Sequence, residues 1–387
     1  MARINHRNHT GAARSPHSTL STSLRETSEL KRFDRLIAEL STNDRVAVVH
    51  HPDPDGVCAG VLISKLIERK RKSPPEFRHN QRSNEIGITN ETVELLKKRA
   101  ITHVFIVDMA SDQDPRPIKI LEKSMHVVLI DHHPTNHVIT SPKTIMLKAR
   151  ELLPIPPAHY CTAKMVYDLG SRHVNMADLD WIAAVGIVAD GATDSWLTFV
   201  REVGERYGVR MMVDPRKTEF GKIAEMINLV EAYSHLKARD AFKSVYDAKK
   251  PQDVYSSPMV PIADEVRRDV KEHIDTVKNW CQADTDHDAL IGEVESKYTI
   301  KSHLTGELSE KYPHKTVICY QKIPGDKISV SAWRKDGKVK VNELLRRAVR
   351  HLVDASAGGH DTMSGGTIHA RDLEKFKQEL YLALDSA

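Results

Sequence analysis

Three short apolar runs, each closed by acids or histidines, set the pattern of the N-terminal half. Val46-Ala47-Val48-Val49 ends in His50 and His51. His103-Val104-Phe105-Ile106-Val107 ends in Asp108, and Val127-Val128-Leu129-Ile130 ends in Asp131, His132 and His133. Continuous Val/Ile-rich runs of this length predict strands buried on both faces. Helical spacing lies between them, over 56–71, 91–99 and 117–123. It also precedes them, with Leu30, Phe33, Leu36, Ile37 and Leu40 on one face. Strands alternating with helices predict a parallel α/β sheet with right-handed crossovers. In such a sheet, ligands bind outside the carboxyl ends of the strands. Each polar cluster falls just after its strand, so three segments deliver acids and histidines to one edge.

Farther along, 162–170 and 178–190 read as helices. The second is apolar nearly all round and carries Asp190 at its end, as a buried core helix does. Mixed helical spacing over 217–249 suits a connector, and an amphipathic helix is expected at 262–282. Strands are then expected at 289–293, 316–320 and 328–332, with helices at 301–311, 342–353 and 371–384. A glycine turn spans 357–366. The expected division is a flexible tail at 1–28, a parallel-sheet catalytic domain at 29–216, a helical connector at 217–284, and a smaller α/β domain with a mixed sheet at 285–387. The site is expected in the cleft between the two domains.

Composition narrows the classes. In 387 residues, 40% are hydrophobic and 28% charged, which is ordinary for a globular chain. Aromatics at 5% argue against a surface built on base-stacking rings. Net charge is +4, mild enough to permit a nucleic acid partner without demanding one. Between Gln321 and Arg350 there are nine Lys or Arg against three acids, either a strand-binding surface or a solvated face. Cys58, Cys161, Cys281 and Cys319 form no C-x-x-C pair, so neither a disulfide framework nor a cysteine-rich zinc site is expected, and a reducing cytoplasm fits. No apolar run reaches the length of a membrane span. Residues 1–25 hold four arginines and no acid; a basic tail is the expected reading, with a transit peptide as the alternative.

The chemistry lies in the combination of clusters. In His51-Pro52-Asp53-Pro54-Asp55-Gly56, two carboxylates at i and i+2 both face a crevice if the turn is tight. Neutral imidazole together with carboxylate suits Mn²⁺, Fe²⁺ or Zn²⁺ more than Ca²⁺. A two-metal site needs a bridging carboxylate, terminal ligands for each ion, and open positions for water and substrate. Oxygen and nitrogen donors arriving from four segments meet that requirement.

The order H-x-D-x-D-G, then Asp108, then Asp131-His132-His133, then Asp190 resembles the DHH phosphoesterase superfamily. Gly358-Gly359-His360-Asp361-Thr362-Met363-Ser364-Gly365-Gly366 resembles the signature of its C-terminal DHHA1 domain. The resemblance spans residues 42–387 and is nearest to archaeal RecJ-like single-strand exonucleases. It implies one ion on His51, Asp53 and Asp108, and another on Asp55, Asp108, His132 and Asp190, with Asp108 bridging. His50 is the alternative to His51. His133 would meet the scissile phosphate, and Asp131 would orient a neighbouring imidazole. The ions would be Mn²⁺, with Mg²⁺ or Co²⁺ as substitutes, activating water for in-line attack on phosphorus.

Gly358, Gly359 and His360 would form an anion-binding nest, or an ordinary loop. Arg334 is a second phosphate-binding candidate. The neighbouring Trp333 either stacks on a base or is buried. Met363 stands where small residues are usual, and either shapes the substrate pocket or packs into the core. Arg82, in a segment resembling a RecJ loop, either contacts phosphate or belongs to a surface loop. The expected activity is exonucleolytic hydrolysis of single-stranded DNA or RNA, with replication or repair proteins as partners. The alternatives are a phosphodiesterase of dinucleotides, short oligoribonucleotides or cyclic dinucleotides, a non-catalytic scaffold, and a pyrophosphatase.

Overall fold

A computed structural model describes residues 23–386 except 83, 84 and 86. The expected tail at 1–28 and the loop around Arg82 therefore fall partly outside the described residues. What is described of the tail is docked: Leu24 is buried and the Arg25 N–H donates to the Leu152 carbonyl at 2.9 Å. The chain divides into two compact units, one reaching Ala224 and including Val245–Asp253, the other holding Glu225–Ser244 and Val254–Ala387.

The first unit holds a five-stranded sheet of β1 (Val46–His50), β2 (Phe77–Asn80), β3 (His103–Val107), β4 (His126–Asp131) and β5 (Thr144–Lys148). All neighbours are parallel and the order is β2-β1-β3-β4-β5. The order reverses between β1 and β3, which opens a crevice at their carboxyl ends. Helices α3 (Asn90–Lys98) and α4 (Arg116–Leu121) cover one face, where Val93, Leu96, Ile118 and Leu121 pack on Val49, Val104, Ile106 and Leu129. Helices α1 (Ser28–Glu39), α2 (Pro54–Arg71) and α6 (Thr162–Ser171) pack on the sheet as well, against β5, β1 and β4 respectively. The short α5 (Ala149–Leu152) follows β5.

Helix α7 (Asp180–Ala189) is buried from Asp180 to Val188 against α2 and α6, and α8 (Leu197–Tyr207) packs on it. Gly186 makes that close packing possible. A Cβ there would lie 2.5 Å from the Ala163 Cβ and 2.9 Å from Asp55 Oδ1.

Helix α9 (Glu219–Tyr233) runs across the division between units, and α10 (Ala238–Asp247) and α11 (Met259–Asp275) follow it. The helix expected over 262–282 stops at Asp275; a turn of helix, α12 (Val277–Trp280), leads into strand β6 (Cys281–Asp284). The second sheet adds β7 (Ala289–Glu293), β8 (Thr316–Ile323), β9 (Lys327–Trp333), β10 (Ser356–Gly359) and β11 (Met363–His369), in the order β10-β11-β9-β8-β7-β6. Only the β7–β8 pair is parallel, so the sheet is mixed. Helices α14 (Val341–Val349) and α15 (Leu373–Leu384) bury Leu344, Leu345, Phe376 and Leu380 on one face, and α13 (Lys301–Lys311) packs on β8 and β9.

Overfilling the space at Gly186 forces α6 and α7 apart, and a core overpacked in this way loses about 1–3 kcal/mol. Gly186→Ala is therefore expected to shift urea denaturation to lower concentration by that amount. An unchanged midpoint would contradict the packing described here.

Candidate metal centre

The turn after β1 places the first donors. Asp53 caps α2, accepting the Gly56 N–H at 2.8 Å, and its other oxygen lies 3.0 Å from His51 Nδ1. Gly56 is required by this turn, since a Cβ there would meet the His51 carbonyl oxygen at 2.5 Å. One residue into the helix, the Asp55 carboxylate is buried against the start of α6. It accepts the Thr162 N–H at 2.7 Å and the Ala163 N–H at 2.9 Å, donors that a helix N-terminus leaves unsatisfied.

Asp108 follows β3 directly. Its backbone N–H donates to the Ile130 carbonyl at 3.0 Å, and the residue then turns to φ +59°. Aspartate tolerates that left-handed region better than most residues, though at a cost in strain. The turned carboxylate accepts the Thr162 hydroxyl at 2.9 Å and lies 3.6 Å from His132 Nε2. The other nitrogen of His132 lies 3.5 Å from Asp190 Oδ2, at the end of α7.

Among the described residues, three groups of ligand atoms each lie within 4.8 Å of one another: His51, Asp53 and Asp108; Asp55, His132 and Asp190; and Asp108, His132 and His133. Asp108 thus neighbours both ends of the cluster. His51 belongs to a group and His50 does not. The ring of His50 packs under α2 beside Gly60, its Nδ1 lies 2.6 Å from the His51 carbonyl, and burial lowers its pKa to about 4.

The electrostatics of the cluster ask for a cation. Burial, then the charges of Asp55 and Asp53, push the Asp190 pKa up to about 9. Burial and the neighbouring carboxylates raise Asp108 well above the usual range, and burial raises Asp55. Burial also opposes the charge on Asp53, but His51 and the Gly56 N–H overcome it and hold that carboxyl low. Among the described residues, His132 Nδ1 and Asp190 Oδ2 are buried with no hydrogen-bond partner. Buried polar atoms without partners are rare, and a divalent ion would satisfy both. The donor set, imidazole with carboxylate, fits such an ion.

Asp131 sits outside this cluster of donors. One of its oxygens is 2.7 Å from His133 Nδ1 and the other 2.6 Å from Lys148 Nζ. Burial would raise its pKa, but those two cations hold it below the usual range. Burial alone would depress His133, whereas Asp131 raises it. His133 keeps 45% of its side chain exposed, unlike His132.

The remaining candidates lie elsewhere. Gly358 and Gly359 pair with Gly365 and Ser364 in an exposed hairpin at the sheet edge, not a loop between helix and strand. Only Gly359 of the two has positive φ, +139°. The His360 N–H donates to the Met363 carbonyl at 2.7 Å, closing the hairpin and leaving the ring exposed. Met363 is 41% exposed and so does not pack into the core.

Arg334 departs from its expected role. Its guanidinium is buried, bonded to Asp336 at 2.7 Å and to the Asp288 carbonyl and Thr316 hydroxyl at 3.3 Å, so it braces β9 and is not presented to a phosphate. Trp333 lies against Gly306 of α13. Arg82 is exposed, and its backbone N–H donates to Glu85 at 3.0 Å. The motifs did not point to Thr162, Asp112 or Lys148. A signal for Lys148 exists, since it closes the apolar run Ile145-Met146-Leu147 as acids close the others.

Residues 45–189 match the DHH family N-terminal domain and residues 295–385 match the DHHA1 domain. No curated protein matches the sequence. The fold is similar to exonuclease RecJ bound to manganese, with 18% identity and a TM-score of 0.65 over 93% of this chain and 95% of that one. RecJ from Thermus thermophilus in complex with Mn²⁺ gives 18% identity and 0.65, over 93% of this chain and 55% of that one. CDC45 from Entamoeba histolytica gives 11% identity and 0.53, over 92% and 99%. With both domains matched in order, and acids and histidines gathered at the sheet edge as that family's motifs require, the chain belongs to the DHH/DHHA1 phosphoesterase superfamily, with a RecJ-like fold.

Proposed function

We propose that the chain is a two-metal phosphodiesterase that trims single-stranded DNA or RNA from an end to mononucleotides. The observation that carries this reading is the position of Asp108, within reach of donors on both sides, His51 and Asp53 on one and His132 on the other. In this reading His51, Asp53 and Asp108 hold one ion, and Asp55, Asp108, His132 and Asp190 hold the second. Held by these residues, divalent ions such as the Mn²⁺ of the RecJ structures would supply activation of water and neutralisation of phosphoryl charge. His133 offers Nε2 to the scissile phosphate, because Asp131 occupies Nδ1. Asp55 keeps its orientation through the N-terminus of α6, and Thr162 steadies Asp108. The exposed hairpin at Gly358 and Gly359, with Arg346 and Arg347 on α14, supplies backbone and charge for a nucleic acid strand.

One observation favours a second reading, cleavage of dinucleotides or other very short substrates. Of the nine basic residues over 321–350, Lys322, Arg334, Lys335 and Lys340 pair with Glu293, Asp336, Glu310 and Glu343. Less charge is then left to hold a long strand. Similarity in fold to CDC45 supports a replication partner only as a further possibility to test by co-purification.

Metal binding should release protons. In the metal-free protein at pH 7, Asp190 holds its proton, and Asp108 and Asp55 are shifted the same way. A folded-state pKa above the unfolded value costs stability as pH rises between the two, and ion binding removes that cost. Mn²⁺ affinity is therefore expected to rise from pH 6 towards the Asp190 pKa of about 9. Calorimetry in two buffers of different ionisation enthalpy should show net proton release. Heats independent of buffer would contradict it.

The activity itself is tested with end-labelled single strands of about 25 nucleotides, longer than the site sizes of simple strand-binding folds, run beside dinucleotides. Mn²⁺-dependent mononucleotide release from the long strands, lost in Asp108→Ala, is the expected outcome. Cleavage of dinucleotides alone would replace it with the short-substrate reading.

A further inference from the structure

Lys148 ends β5 directly opposite Asp131 in the parallel ladder. Its side chain is 3% exposed, yet it carries a charge beside the candidate centre. The ammonium lies 2.6 Å from Asp131 Oδ2, 2.7 Å from Asp112 Oδ1 and 3.4 Å from the His133 carbonyl oxygen. Asp112 reaches the same place from the segment after β3. Its second oxygen accepts the backbone N–H of Asn136 at 2.6 Å and of His137 at 3.3 Å. His137 Nδ1 lies 2.8 Å from the Asp112 carbonyl. One ammonium thus ties the ends of β4 and β5, the segment after β3, and the stretch that follows the Asp131-His132-His133 motif.

A carboxylate only accepts hydrogen bonds. With one oxygen of Asp131 paired to Lys148, the other can take only the donated Nδ1–H of His133, at 2.7 Å. That fixes the plane of the ring and leaves Nε2 as the nitrogen that points away. Stability alone does not explain a buried cation between two carboxylates, because well-packed apolar residues serve that purpose as well or better.

We propose that Lys148 is a positioning residue, which locks Asp131 and through it aims His133 Nε2 at the scissile phosphate. The proposal rests on the reading of His133 as the phosphate contact. Asp112 is the second anchor of the same lock. Among the described residues, neither Lys148 nor Asp112 belongs to a group of candidate metal ligands.

The test is a double-mutant cycle on Mn²⁺-dependent cleavage of bis(p-nitrophenyl) phosphate, an activated diester that makes no demand on strand length. Lys148→Met is expected to lower kcat by about 10- to 100-fold, the usual scale for residues that orient a ligand or its neighbour. KM and Mn²⁺ affinity should stay near wild type, because Lys148 borders none of the candidate ligand groups directly and acts only through Asp131. In the His133→Ala background the same substitution should change nothing further, because the residue it positions is gone. Asp112→Asn should lower kcat in the same direction, also only when His133 is present, and serves if Lys148→Met does not fold.

An equal loss in the His133→Ala background, or an unchanged kcat, would overturn the proposal. A crystal structure of Mn²⁺-soaked Lys148→Met decides the geometry independently of turnover. A His133 ring turned off Asp131 supports the lock, and a ring unmoved overturns it. A wild type inactive on every diester would sink the phosphoesterase reading, while the ring position would still decide the role of Lys148.

Discussion

Asp55, Asp108 and Asp190 are brought together beside Asp53 where burial and like charge both oppose their ionisation. Folding such a cluster is unfavourable unless donors and cations answer it. Much of the first unit can be read as that answer. The start of α2 donates to Asp53, the start of α6 holds Asp55, and the Thr162 hydroxyl steadies Asp108. What remains unanswered is concentrated at Asp190 and His132, where buried atoms lack hydrogen bonds. The arrangement is coherent if divalent ions complete it.

Rigidity comes from the sheet and from tight packing behind it. β1, β3 and β4 are central and buried, so the residues just beyond them are aimed by fixed backbone. Asp108 adopts a left-handed conformation that few residues tolerate, and this turns its carboxylate towards both groups of donors. Gly186 lets α7 approach α6, so Asp190 and Asp55 can approach the same point from different helices. Lys148, Asp112 and Asp131 form a separate buried ionic set that serves the orientation of His133.

The central strands were legible because burial on both faces leaves a continuous apolar run, as in Val127-Val128-Leu129-Ile130. The strands that escaped sequence reading include β2, β6 and β10, each at a sheet edge, β5, an edge strand buried throughout, and β11, an interior strand read as part of a glycine turn. Phe77-Arg78-His79-Asn80 and Ser356-Ala357-Gly358-Gly359 carry no such run, since an edge is only half covered. The convergence of acids and histidines was also legible, because strand ends in a parallel sheet share one side. Side-chain partnerships were not. Arg334 follows a strand like a phosphate ligand, but Asp336 two residues on claims its guanidinium. Lys148 gave only a faint signal, because its partners lie 36 and 17 residues away, one brought by the segment after β3 and the other by sheet register.

Anomalous diffraction at the manganese edge, from crystals soaked in Mn²⁺, addresses the two-ion centre most directly. The account predicts two peaks about 3.5–4 Å apart, the spacing of two-metal phosphoryl-transfer sites. Asp108 should touch both, with His51 and Asp53 at one and Asp55, His132 and Asp190 at the other. A single peak, or ions held without Asp108, would contradict it.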